Sequence, residues 1–268
     1  MTAPMLTDPA ALARSRARAT AMFLQDRMAD EIEERLAEVN RTFTAPAIVT
    51  PFPAVWAHRL PTARIVPEGD ALDLAPGAHD LVIHALCLHW ANDPVGQIVQ
   101  AARALRPDGL LLASLFGGAT LATLRRALAE AEAERTGGLS PRVLPMAEIR
   151  DLGALLQRAG LALPVADAVP LTVTYADTVA LMRDLRAMGE GNALAGRLRR
   201  PTRRAVLASA AARHDALAAQ PDGRVAALFE VIVLTGWSPH PDQPRPLRPG
   251  SATARLADVL PRRDDPRD

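Results

Sequence analysis

Between Ala78 and Gly118 the chain reads AHDLVIHALCLHWANDPVGQIVQAARALRPDGLLLASLFGG, and that order leaves few folds open. Asp80 opens the apolar run Leu81-Val82-Ile83, followed by His84, the pattern of a short strand covered on both faces. Asn92-Asp93-Pro94 punctuates the chain, and Val95, Ile98, Val99, Ala102 and Leu105 then recur at helical spacing. Arg106-Pro107-Asp108-Gly109 predicts a turn, with Pro fixing φ and Gly taking a positive φ at little cost. Leu110–Phe116 is a second buried strand, closed by Gly117-Gly118. Strand, helix, turn and strand in this order form a parallel βαβ unit with a right-handed crossover.

A chain of 268 residues, 49% of them hydrophobic, can bury the core of one α/β domain with an insertion. Every basic residue is Arg, which fits codon bias in a GC-rich, bacterial genome better than selection for guanidinium chemistry. The net charge of +1 gives no argument for nucleic acid or for an acidic membrane surface. The single cysteine, Cys87, excludes an internal disulfide and reads as a packing residue in a reducing compartment. No apolar run is long enough to span a bilayer. Arg14, Arg16 and Arg18 precede no apolar h-region or cleavage site, so they do not read as a targeting peptide. The expectation is a cytoplasmic protein without a transmembrane segment, with peripheral membrane contact left open.

Taken in order, Asp8 is an N-cap for a helix from Pro9 to about Ala19. Phe23, Met28, Ile32, Leu36 and Val39 stripe a second helix, Met22–Val39. Residues 1–43 are thus expected to cover the sheet. Ala47–Val49 and Ala63–Val66 predict strands around a short helix, Ala54–Leu60. After Gly118, helices are expected over Leu121–Arg135, with Gly137-Gly138 as a stop, and over Ala147–Arg158. Leu171–Tyr175 alternates as a strand. A helical insertion over about 177–220 holds Thr178–Met188 and an Ala-rich helix ending near Ala219. Leu228–Trp237 closes an α/β domain spanning 44–237, and 238–268 reads as a Pro- and Arg-rich irregular tail.

Several separated motifs carry a resemblance: Leu88-His89-Trp90-Ala91-Asn92-Asp93, Leu115-Phe116-Gly117-Gly118-Ala119-Thr120-Leu121, Gly137-Gly138-Leu139-Ser140-Pro141, Asp151–Gly160, Leu181-Met182-Arg183-Asp184-Leu185, Met188-Gly189-Glu190 with Asn192, Thr235-Gly236-Trp237, and Gly250-Ser251-Ala252-Thr253. Together they resemble class I S-adenosylmethionine (SAM) methyltransferases. The branch they resemble is that of the mitochondrial respiratory complex I assembly factors and their alphaproteobacterial relatives, near the carrier-protein methyltransferases of biotin synthesis. The resemblance implies a Rossmann-like sheet, mostly parallel with an antiparallel C-terminal strand, with helices on both faces. It implies SAM as cofactor and a protein client, such as a complex I subunit, which the mitochondrial member is thought to hydroxylate on an arginine. Nucleic acid is not an implied partner.

The resemblance also assigns candidate residues. Asp70-Ala71-Leu72 resembles the acidic turn that holds the adenine amino group, its alternative reading being a surface loop. His84, with Ala85 and Leu86, would face the crevice where doubly wound sheets bind ligands. His89 and Trp90 follow as candidate catalytic residues; structurally, Trp90 would pack under the sheet edge and His89 would cap a backbone group. Arg183, Glu190 and Asn192 are candidate client contacts. His79, His84, His89 and Asp93 match no facial-triad spacing, so no metal site is expected. Arg197, Arg199, Arg200, Arg203 and Arg204 form a basic cluster, either an exposed helix entry or a dock for an acidic partner.

One stretch departs from the pattern. No Gly occurs between Arg41 and Glu68, where a SAM site needs backbone to approach the methionine moiety. Thr50-Pro51-Phe52-Pro53 stands there instead, and Glu68 is the nearest acid for the ribose hydroxyls. Three functions stay open at this point: a SAM-dependent enzyme acting on a protein, a degenerate methyltransferase serving as an assembly chaperone, and a methyltransferase acting on a carrier protein.

Overall fold

The computed structural model describes residues 5–243. The motif Gly250–Thr253 and most of the tail lie outside them. The helices are α1 (Pro9–Arg16), α2 (Phe23–Glu38), α3 (Pro53–Trp56), α4 (Pro94–Ala104), α5 (Ala122–Thr136), α6 (Ile149–Arg158), α7 (Thr178–Ala187) and α8 (Arg204–Ala218). The strands are β1 (Pro46–Val49), β2 (Arg64–Val66), β3 (His79–His84), β4 (Leu105–Phe116), β5 (Ala162–Tyr175) and β6 (Val225–Trp237). They form one sheet in the order β2-β1-β3-β4-β6-β5. β1, β2, β3 and β4 pair in parallel, and β6 lies antiparallel between β4 and β5. The expected mostly parallel sheet with an antiparallel C-terminal strand is what forms.

Every residue of β3 is buried, as its unbroken apolar run predicts. Leu81 and Ile83 point to one face, against Ala29 and Ile32 of α2 and Trp56 of α3. Val82 points to the other, against Ile98 of α4, in a cluster that continues to Leu152 and Leu156 of α6. Asp80 fixes how the chain enters β1. Its carboxylate accepts from Thr44 N at 2.6 Å, Thr44 Oγ1 at 2.9 Å and Ala45 N at 2.9 Å. Burial pushes that carboxyl upward, but these donors hold its pKa below the ordinary value.

Two local expectations are corrected. The Arg106–Gly109 turn is drawn into a long β4, and Asp108, not Gly109, takes the left-handed conformation at φ 62°. The side chain of Asp108 can bear this because it is anchored, accepting from Arg41 and from Gln243 Nε2. Gly109 is required by proximity instead: a Cβ there would sit 2.9 Å from Arg106 O. Likewise β5 begins at Ala162, well before Leu171, and runs as a half-buried edge strand. Pro164 and Pro170 are tolerated there because an edge strand needs hydrogen bonds on one side only.

Candidate functional site

The open crevice of such a sheet lies beyond the carboxyl ends of its parallel strands. Here α1 crosses that end. Asp8 caps it, accepting from Ala11 N at 3.1 Å, and also accepts from Arg197 and Arg199 at 2.9 and 3.0 Å. This ties the insertion to the N-terminal segment through two arginines of the basic cluster, while Arg200, Arg203 and Arg204 stay exposed at the entry to α8. Helical spacing then carries the inward face of α1 from Leu12 to Arg16, both buried.

Arg16 enters the crevice as a buried cation. Its NH1 donates to Glu190 Oε1 at 2.5 Å, Nε lies 3.4 Å from Glu68 Oε1, and the guanidinium sits 5.2 Å from the centroid of the Phe52 ring. Glu190 also accepts from Trp90 Nε1 at 2.6 Å, and His89 Nε2 lies 3.2 Å away. His89 in turn packs on Phe116, ring centroids 4.6 Å apart. Burial pushes the Glu190 carboxyl up, yet Arg16, His89 and the Trp90 N–H outweigh it and hold the pKa at about 2. The Glu68 carboxyl is raised, because burial there exceeds what Arg16 offsets. A fixed cation, an ionised carboxylate, an imidazole and an indole from three separate segments thus form one buried polar cluster.

The structure brings His89, Trp90 and Glu190 together in this cluster, and the Trp90 ring also packs with Leu12, Leu144 and Leu194. Asn192 lies nearby, donating to Pro141 O at 2.9 Å. Arg183 is exposed on α7, away from the cluster. His84 is corrected: it is fully buried beneath the crevice floor, with Nε2 2.6 Å from Gln97 Oε1 and Nδ1 3.4 Å from Cys87 Sγ. Burial lowers its pKa to about 4, so the ring is neutral at pH 7. Ala85 N is used by Val49 O, and Leu86 N by Ser114 Oγ. Asp70 and Ala71 are exposed, while Leu72 N is taken by Gln100 Oε1. Arg16 is the residue that sequence reasoning missed. Its signal was the four-residue step from the apolar Leu12.

A SAM molecule would need the turn after β1 to offer backbone donors and open space, and neither is present. Thr50 N bonds Val66 O, Phe52 N bonds Thr50 Oγ1, and Pro51 and Pro53 have no N–H. The Phe52 side chain is buried against Trp56 and Ile83 with Arg16 across its face. A cavity of about 270 Å3 persists between α1 and Gly69, Asp70, Cys87 and Gln97. That is smaller than the roughly 300–1,000 Å3 of small-molecule sites. The residues present do not fit the methionine end of the cofactor.

Fold and strand order are those of a Rossmann-like methyltransferase domain. Residues 9–113 match the family described as "Methyltransferase domain". Within that class it is related to "Arginine-hydroxylase NDUFAF5, mitochondrial". It is 36% identical to the protein of that name from Homo sapiens over 200 residues, 75% of this chain and 58% of the relative. It is 39% identical to that from Dictyostelium discoideum over 180 residues, 67% of this chain and 41% of the relative. A malonyl-acyl-carrier-protein O-methyltransferase from Laribacter hongkongensis is 36% identical over 177 residues, 66% of this chain and 57% of the relative. The chain spans less than two thirds of the length of each of these relatives. Among solved structures, the YcgJ protein of Bacillus subtilis shares the fold. Its TM-score is 0.50 at 10% identity, covering 79% of this chain and 98% of that one.

Proposed function

We propose that this methyltransferase-family protein acts on a protein client, a subunit of respiratory complex I, as an assembly factor that holds the client without turning over SAM. The relatives that carry an arginine-hydroxylase name support the client. One observation supports the absence of turnover: Phe52 and Arg16 occupy the place of the glycine turn and of the ligand it would cradle. Arg183 and Asn192, exposed residues of the insertion, are the proposed client contacts. Glu190 serves them from below by fixing the position of Trp90 and His89.

Calorimetric titration of the full chain with SAM and with S-adenosylhomocysteine tests the reading. No saturable heat is expected up to millimolar ligand, and complex I should fail to assemble in a strain lacking the gene. Submillimolar SAM binding would overturn it. In that case the second reading, SAM-dependent modification of the client, holds. The void beside Asp70 favours this second reading, since it lies where the resemblance sets the adenine. It requires α1 to withdraw Arg16. On that reading the cofactor would supply the activated methyl group, while this chain orients the client side chain against Trp90 and Glu190.

A further inference from the structure

A second cavity, of about 550 Å3, lies between α5, the α7–α8 insertion and the end of β4. Its volume falls within the roughly 300–1,000 Å3 of sites for small molecules. The cofactor crevice lies on the other side of the Glu190 cluster. Phe116, Leu121, Leu124, Leu128, Met182 and Phe229 form its inner wall.

The polar groups on that wall are already satisfied. Thr120 Oγ1 donates to Glu230 O at 2.9 Å and accepts from Glu230 N at 3.0 Å. Asn192 donates to Pro141 O and accepts from Leu194 N. Glu190 is taken up by Arg16, Trp90 and His89. A peptide segment entering here would bury its backbone N–H and C=O groups without partners, at a cost that excludes it. An alkyl chain carries no such groups.

The rim differs from the wall. Four arginines reach it: Arg142, Arg186, Arg197 and Arg200. Arg142 is committed to Glu132 at 2.5 Å and Arg197 to Asp8 at 2.9 Å. Arg186 and Arg200 have no carboxylate partner among the described residues and are exposed. A saturated apolar interior under a rim with two uncommitted guanidinium groups selects for one chemical shape. The guanidinium fork matches a carboxylate and the wall matches a hydrocarbon tail. We propose that this cavity binds a single-chain amphiphile with an anionic head, a fatty carboxylate, tail inward and head between Arg186 and Arg200. The proposal stands independently of whether SAM is bound.

The probe is laurate, titrated by calorimetry into the full chain below its micelle-forming concentration. One saturable site is expected, with 1-dodecanol binding at least about tenfold more weakly, the difference that one charge-assisted contact makes. Arg186→Ala/Arg200→Ala should raise the laurate Kd by about tenfold or more with an unchanged circular dichroism spectrum. Leu198→Trp, a rim substitution at a residue 39% exposed, should block entry without disturbing the core. Absence of a saturable site for laurate would overturn the proposal. So would dodecanol binding as tightly as laurate, or either variant leaving the laurate affinity unchanged.

Discussion

Replacing Arg16 by Met tests whether the crevice is held by a buried ion cluster. The substitution keeps an unbranched side chain over Phe52 and removes the charge. Glu190 then retains Trp90 Nε1 at 2.6 Å and His89 Nε2 at 3.2 Å but loses its cation, and Glu68 loses its one ion-pair partner among the described residues. Breaking a buried pair by removing one member costs about 3–5 kcal/mol, and the two surviving partners of Glu190 place this case near the lower end. For a chain of this size about 3 kcal/mol lowers Tm by roughly 6–12 °C. Urea unfolding should show the loss as a lower midpoint at unchanged slope. Arg16→Met/Glu190→Gln should recover more than half of it, because no carboxylate is then left unpaired at that position.

The pH dependence carries a sign. In the native protein the Glu190 pKa lies at about 2 against an ordinary 4.5, so its contribution is full above 4.5 and is lost as pH falls toward 2. Without Arg16 the upward push of burial dominates, the folded pKa rises above the unfolded one, and acid then favours the folded state. The deficit of Arg16→Met should therefore be smaller at pH 5 than at pH 8. A variant within about 0.5 kcal/mol of the native protein at both pH values would refute the reasoning, since that is the range of ordinary surface substitutions.

Three further outcomes follow from single residues. His84 is neutral in the fold with a pKa of about 4 against 6.5, so about 3 kcal/mol of stability should be present above pH 6.5 and lost as pH falls to 4. His84→Gln should flatten that part of the stability profile, and an unchanged slope in pH-dependent urea unfolding would exclude the assignment. Asp80→Ala leaves Thr44 N and Ala45 N without their acceptor and should cost about 3 kcal/mol in chemical denaturation, with Asp80→Asn intermediate. Gly117→Ala places a Cβ 2.5 Å from Glu230 Oε2 and 2.8 Å from the buried Ile232 Cγ1. It should destabilise by about 1–3 kcal/mol in thermal unfolding, as overpacking does.

The βαβ unit was legible because its signals are local: an unbroken apolar run for β3, Asp93-Pro94 to start α4, and a second run for β4. The start of β5 was not, since its prolines read as breakers and only its edge position makes them harmless. Its inward set, Val169, Leu171, Val173 and Tyr175, alternates with Ala168, Pro170, Thr172 and Thr174, and that alternation was the available signal. At the site, the loss of the glycine turn was readable, but what replaces it was not. Trp90 meets Glu190 across 100 residues of chain and Arg16 meets Glu190 across 174. No spacing rule encodes such pairings, because packing of α1 over the strand ends sets them. The same holds for His84, whose place at a strand's end suggested exposure that the Gln97 and Cys87 side chains remove.

The position of β6 has a consequence for how the chain comes to be folded. Among the described residues the strand is made after the other five, yet it sits inside the sheet, with β4 on one side and β5 on the other. Until Val225–Trp237 has left the ribosome, β4 presents an open apolar edge and β5 has no strand to join. Closure must wait for pairings of high sequence separation, which are slow to form and leave strand edges available to other chains. A nascent chain halted before Val225 would hold β4 and β5 as unjoined pieces of one sheet, and a cell making this protein must shield them for the time it takes to synthesise β6.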